Sequence, residues 1–158
     1  MQPADADYAQ RVRDSFARQG AMAYIGAVLE RVAPGTVEIG LPYRPQLSQQ
    51  HGYFHAGMVS TAADSAGGYA AYTLFPADAS VLTVEFKVNL IAPADGERLR
   101  AVGQVIRSGR TLTICELKAF VLKAGRETQC LHGMATLMCL AGRPDRPPGK
   151  YSRSSVKG

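Results

Sequence analysis

The sequence predicts an α+β fold: an antiparallel sheet of five to six strands wrapped around one long central helix. Two observations carry this. From Gly57 to Phe75 the chain reads "GMVSTAADSAGGYAAYTLF", almost wholly small or apolar and long enough for one continuous helix. A helix that is apolar all round is one covered on most sides. Most of the remainder divides into strand-like segments separated by turn residues. The clearest is "LTVEFKVNL", where Val84, Phe86, Val88 and Leu90 alternate with Thr83, Glu85, Lys87 and Asn89, the pattern of a half-buried strand.

Taken in order, Asp5 to Gln19 reads as a short polar helix ending near Gly20. Ala21 to Arg31 reads as a strand, Pro34-Gly35 as a turn, and Thr36 to Tyr43 as a second strand with Val37, Ile39 and Leu41 on one side. "RPQLSQQHGYF" has loop composition, and Pro76 stops the long helix. Four strands follow: the alternating one, then Leu99 to Arg107, Thr111 to Leu122 and Thr128 to Leu140. The turns between them are "PADGE", Ser108-Gly109 and Ala124-Gly125. Turns this short imply an antiparallel meander. Residues 1–20 are therefore expected to form a short helix or mobile segment, residues 21–141 a single domain, and residues 142–158 a mobile basic tail.

The 158 residues suit one domain, and 46% hydrophobic with 20% charged residues is ordinary for a globular chain. No apolar run reaches the length of a membrane span, and the first residues carry acids rather than an apolar leader. A cytoplasmic location without a membrane partner is the expectation. The net charge of +5 raises the question of nucleic acid. Most of that excess lies in the tail, where Arg143, Arg146, Lys150, Arg153 and Lys157 face only Asp145, so no nucleic-acid partner is expected.

The three cysteines, Cys115, Cys130 and Cys139, are odd in number, lack C-x-x-C spacing and sit in apolar segments, as buried free thiols do. Cys130 and His132 would share one face of a strand, the placement a Cys/His nucleophile pair needs. His51 and His55 have metal-like spacing but precede the helix and lack a third ligand, so no metal is expected.

Asp64 is the one ionisable side chain of the long helix. It either caps a helix that begins at Ser65 or lies about two turns inside one that begins near Gly57. No turn signal precedes Asp64, whereas Gly57 supplies one. A carboxylate inside a buried helix needs a polar partner or a cleft, which makes it a functional candidate. At the helix start, Ala56 and Gly57 are small enough for a ligand oxygen to approach free backbone N–H groups at the positive end of the dipole. Asp64 lies roughly 12 Å from Ala56 along the axis at ~1.5 Å per residue, too far for one helix to unite them. Antiparallel helices from two copies of the chain would. Gly67 and Gly68 each cost the helix roughly 1 kcal/mol relative to alanine, which implies a close approach to its backbone.

The stretch "QQHGYFHAGMVSTAADSAGGYAAY" resembles the signature of the PaaI-type hotdog-fold acyl-CoA thioesterases: Gln49, Gly52, the His55-Ala56-Gly57 helix start, and an acid nine residues after the histidine, Asp64. The resemblance continues through "LTVEFKVNLIAPA", "GQVIRSGRTLTICELK" and "HGMATL", and covers roughly residues 20 to 140. It implies a hotdog fold and a homodimer, doubled to a homotetramer in many relatives. The Gln49 loop and the Ala56 N–H of one subunit would face Asp64 of the other. Ala56 stands where the family has glycine, which implies a reduced activity or a narrower substrate range. His55 matches a structural histidine of the family, and Thr83 matches a hydroxyl that positions water in some relatives. An ordinary strand threonine is the alternative for Thr83.

The activity so implied is hydrolysis of acyl-CoA thioesters, aryl such as phenylacetyl or medium-chain acyl, to free acid and coenzyme A. Ala56 and Gly57 would hold the oxyanion, Gln49 would orient the thioester or the water, and Asp64 would act as base or nucleophile. No cofactor is expected beyond the coenzyme A of the substrate. Arg107, Arg110 and Lys118 are candidates for its phosphates, with a solvated strand face as the alternative. Tyr53, Phe54, Tyr69 and Tyr72 are candidates for an acyl pocket or for packing. A non-catalytic acyl-CoA-binding module is the competing function. A dehydratase would need a catalytic histidine beside an acid, a pattern this chain lacks.

Overall fold

The structure, a computed structural model, describes residues 1–146. Helices α1 (Tyr8–Arg18) and α2 (Gly20–Ile25) lead into strands β1 (Val28–Ala33) and β2 (Thr36–Pro42). After a short 3-10 turn at Pro45–Leu47 come the central helix α3 (Ala56–Tyr72) and strands β3 (Ser80–Leu90), β4 (Arg98–Ser108), β5 (Leu112–Lys123) and β6 (Arg126–Leu140). The strands form one antiparallel six-stranded sheet in the order β1-β2-β4-β5-β6-β3, with α3 packed against it.

The sheet contacts the helix through one face of alternating residues: Val37, Ile39 and Leu41 on β2, Leu99, Ala101 and Val105 on β4, and Cys115, Leu117 and Ala119 on β5. Thin residues on α3 bring the layers close. A side chain at Gly103 on β4 would collide with the α3 backbone at Ala66 and Gly67. A Cβ at Gly67 would lie 2.5 Å from Leu117 Cδ2. The close approach expected at the two glycines is thus found at Gly67, while a Cβ at Gly68 would meet nothing within 4 Å.

Three expectations about the strands are corrected. Ala21 to Arg31 is not one strand. Helix-favouring Ala21, Met22 and Ala23 extend the helical region to Ile25, and Gly26 ends it in the left-handed conformation at φ 75°. The last four strands are not a meander. Only β4, β5 and β6 are; β3 lies at the far edge beside β6. The segment containing "PADGE" crosses the end of the sheet instead of turning back. Its Ile91 N–H donates to Cys130 O at 2.9 Å and its Glu97 N–H to Leu122 O at 2.8 Å. Seven extended residues reach well beyond the roughly 14 Å that three strand spacings require. Third, β3 is not half-buried. Leu82, Val84, Phe86 and Leu90 are all exposed, and of the four apolar residues expected inside only Val88 packs against the core. The register slips at a bulge between Thr83 and Glu85.

The helix also stops one turn before Phe75. A side chain from another element binds its last carbonyl and two in the segment that follows: Arg11 on α1 donates to Tyr72 O at 3.1 Å, to Phe75 O at 2.8 Å and to Pro76 O. The same guanidinium stacks on the Tyr72 ring, 4.4 Å from its centroid. Of the segment expected to be a basic tail, residues 147–158 lie outside the described residues. Asp145 is bonded to α1, its carboxylate accepting from Arg18 at 2.8 Å and its carbonyl at 2.9 Å. No helix of the described residues is long and apolar enough to cross a membrane.

Candidate active site

The helix start is positioned by a pinned loop. The His55 N–H donates to Leu47 O at 2.8 Å, and the Phe54 N–H donates to Ala94 O at 3.0 Å. Between them Gly52, at φ 82°, turns the chain so that the Gln49 and Gly52 N–H groups bond across the loop. Gln49 is thereby held beside the helix start, its Oε1 accepting from the His51 N–H. His55 is the N-cap, and its Nδ1 accepts from the Gly57 N–H at 2.9 Å. This corrects the role expected of Gly57, whose N–H is already engaged. The Ala56 N–H has no hydrogen-bond partner among the described residues and sits at the positive end of α3. Gln49 and Ala56 line one pocket of about 450 Å³, with Tyr53, Phe54, Val59 and Leu90 among its walls.

Asp64 lies inside α3, so the alternative that it begins the helix is excluded. It is half-buried, and Oδ1 accepts from Thr83 Oγ1 at 2.9 Å across the gap between helix and edge strand. Burial raises its pKa above the ordinary carboxylate value, and the Thr83 hydrogen bond opposes that shift. Asp64 and Thr83 line a second pocket, of about 560 Å³. Its other walls contain residues that the sequence did not point to as site residues: Ser15 and Arg18 of α1, and Pro144 to Arg146. Ser15 was findable in part, since Val12, Ser15, Phe16 and Gln19 fall on one face at helical spacing. Among the lining residues Ser15 Oγ lies 3.2 Å from the Tyr69 hydroxyl. Tyr69 is buried, which pushes its pKa up to about 12. Tyr72 belongs to the core.

Within one chain, then, Gln49 and Ala56 share one pocket and Asp64 and Thr83 share another. The three basic candidates are not brought together. Arg107 and Arg110 are exposed at the β4–β5 turn, whereas Lys118 lies further along β5 and holds Glu116 at 2.7 Å. The Cys130–His132 pair is also corrected. The register slips between Ala119 and Phe120, opposite Cys130. The Cys130 thiol turns inward to Ala119 O, and burial pushes its pKa up to about 11, while His132 stays exposed and meets Glu116 at 3.0 Å. Among the described residues no cluster of His, Cys, Asp and Glu has the makings of a metal site.

This arrangement defines a hotdog fold: a sheet wrapped around one thin helix whose start and middle each open into a pocket. Comparison with known proteins places it further. The family model of the thioesterase superfamily matches residues 51–128. A thioesterase family protein from Silicibacter pomeroyi, solved by crystallography, is 52% identical and superposes with a TM-score of 0.84, covering 85% of this chain and 99% of that one. The PaaI protein of the phenylacetic acid degradation operon of E. coli shares the fold at 13% identity, with a TM-score of 0.78 over 89% of this chain and 99% of that one. A curated relative from Saccharolobus solfataricus, named only as a candidate esterase, is 31% identical over 84 residues, and the match spans 53% of this chain and 59% of that relative. The chain belongs to the thioesterase superfamily.

Proposed function

We propose that the protein hydrolyses acyl-CoA thioesters in two active sites shared between the subunits of a homodimer. One observation carries the reading: the two half-sites open at opposite ends of the same edge strand. Thr83 and its neighbours Ser80 to Leu82 line the Asp64 pocket, and Leu90 lines the Ala56 pocket. The outer edge of β3 is unpaired, and its apolar side chains are exposed. An uncovered apolar edge of this length is a template for pairing with another strand. Antiparallel pairing of β3 with its own copy, about a two-fold axis near Glu85, would set the Asp64 pocket of one subunit against the Ala56 pocket of the other. One two-fold contact would then complete both sites.

In such a site the Ala56 N–H and the α3 dipole would polarise the thioester carbonyl. Gln49 would orient the thioester from the same subunit. Asp64 of the partner would take a proton from the attacking water. Thr83 supports the water route, because its hydroxyl proton is given to Asp64 and its lone pairs are left to receive a water. The acid and coenzyme A then leave as separate products.

Mixing two inactive variants tests the shared site. Asp64→Asn and Gln49→Ala homodimers should each release little thiol from an acyl-CoA. After subunit exchange the heterodimer regains one intact site, so activity should return. If each site were built within a single chain, the mixture would remain as inactive as its parts. A protein that binds acyl-CoA and releases no thiol in any combination would be a binding module.

A further inference from the structure

The chain crosses the Asp64 pocket after it leaves the sheet. At the end of β6, Leu140 pairs with Ser80 of β3, and Ser80 lines that pocket. Five residues later Asp145 is tied to α1, where Arg18 lines the same pocket. Both α1 and β3 pack on α3, whose Asp64, Ser65, Gly68 and Tyr69 complete the lining between them. Residues 141–146 therefore bridge from the edge strand to the first helix, with Pro144, Asp145 and Arg146 bordering the space between.

Local contacts hold the segment to this course. The Arg143 N–H donates to Leu140 O at 3.3 Å, closing a turn with Gly142 at φ 69°. Pro144 then fixes its own backbone angle. Arg18 takes Asp145 twice, Nη2 donating to the carboxylate at 2.8 Å and to the carbonyl at 2.9 Å. Nη1 of the same guanidinium donates to Asp14 O at 2.8 Å, which fixes the group on α1. Arg146, the second arginine of this wall, is exposed and forms no ion pair among the described residues, so it is not part of the latch.

Resting on the thioesterase reading, we infer that residues 141–146 are a strap, latched by Arg18 on Asp145, that sets the upper length of the acyl group. Thr83, bonded to Asp64, and Ser80, beside the root of the strap, are three residues apart on β3, roughly 10 Å at ~3.3 Å per residue. A hexanoyl chain fits within that length and a dodecanoyl chain exceeds it, so the longer chain has to push the strap aside. The latch can be released: its side chains are 45% and 32% exposed, and salt screens an exposed pair.

Thiol release from hexanoyl-CoA and dodecanoyl-CoA tests the strap. The wild type should favour hexanoyl in kcat/KM, and high salt should narrow the gap. Arg18→Ala should raise the dodecanoyl-to-hexanoyl ratio about tenfold, the low end of what contacts in an apolar pocket discriminate. Asp145→Ala, which keeps the bond to the carbonyl, should raise it less. Arg18→Glu combined with Asp145→Arg rebuilds the ion pair in reverse and should return the ratio towards that of the wild type, which a mere loss of packing would not allow. Thermal melts check folding, and Asp145→Ala answers alone if Arg18→Ala does not fold. Equal turnover of both thioesters by the wild type, or a ratio unmoved by both single variants, would overturn the inference. So would Arg146→Ala raising the ratio as far as Arg18→Ala, because charge in the wall would then set the length and the latch would not. If neither thioester releases thiol, the hydrolase reading fails instead. Calorimetric titration of the same two thioesters into the wild type and Arg18→Ala then decides the strap by binding alone.

Discussion

Thr83 Oγ1 donates to Asp64 Oδ1 across 2.9 Å, tying the one carboxylate of the central helix to the exposed edge strand. The contact joins a catalytic candidate to the strand through which a second subunit would dock. In the proposed dimer, chemistry and assembly would meet at this hydrogen bond.

Asp64→Asn should lower turnover at least about 100-fold, the lower end of the range for losing a general base. It should also raise stability at neutral pH. The folded-state pKa of Asp64 is raised by burial, so the folded chain binds that proton more tightly than the unfolded chain does. The associated stability is fully present below the unfolded pKa and is lost as pH rises through the folded pKa. Asparagine carries no charge to desolvate. Melting curves should show the variant above the wild type at pH 8, with the gap closing towards pH 4. A variant that melts lower at both pH values would contradict the burial cost assigned to this carboxylate.

Thr83→Val removes the hydrogen bond that holds the Asp64 pKa down and leaves the larger effect of burial unopposed. The acid limb of the pH–rate profile, where the base is lost by protonation, should move to higher pH. Turnover should fall further at pH 6 than at pH 8. A uniform loss across pH would mean that Thr83 acts on the water and leaves the ionisation of Asp64 untouched.

A single turnover in ¹⁸O-water distinguishes the two roles open to Asp64. If the carboxylate activates water, the label enters the released acid and none is found in the protein. If it attacks the carbonyl and expels the thiolate, an acyl–aspartyl anhydride forms, and label appears on Asp64 when water opens that anhydride at the Asp64 carbon. The Thr83 contact leads us to expect label in the acid.

Val84→Lys places a charge on the exposed edge at 53% exposure, where it should not disturb the core. Lysine on an edge strand opposes pairing with another strand. Sedimentation should show a shift towards monomer, with thiol release falling in parallel. A folded variant that stays dimeric and active would place the interface elsewhere.

Much of this arrangement was legible in the sequence, for physical reasons that differ by element. The central helix could be read because its small residues report a covered helix whatever covers it. Asp64 could be read because an ionisable group in such a helix demands an explanation. The strand order could not, because alternation in β3 reports two unlike faces and does not say whether this chain or another copy covers one. The same ambiguity made Val84, Phe86 and Leu90 look like core. Gly57 was misassigned because the His55 cap consumes its N–H, a contact that spacing alone does not reveal. The wall from Ser15 to Asp145 joins residues from the two ends of the described chain, and no local pattern encodes that meeting.

The glycines facing α3 separate packing from function. Gly103 sits where β4 touches the helix backbone, and a methyl group there would collide with backbone atoms that cannot rotate away. Gly103→Ala should destabilise the fold by about 1–3 kcal/mol, the range for overpacking a close-packed core. Gly67→Ala meets only the end of the Leu117 side chain, which can turn, so the gain in helix propensity offsets part of the clash. Gly68→Ala meets nothing and should stabilise the helix by up to about 1 kcal/mol. Urea unfolding of the three variants should therefore rank Gly68→Ala above the wild type and Gly103→Ala lowest. Activity should not follow that order. The methyl group at Gly68 would take up space in the pocket that residue shares with Asp64, so the most stable variant should lose turnover of bulky acyl groups while sparing the acetyl thioester. If Gly68→Ala gained stability and kept full activity on every acyl group, the open space at that position would have no bearing on the substrate.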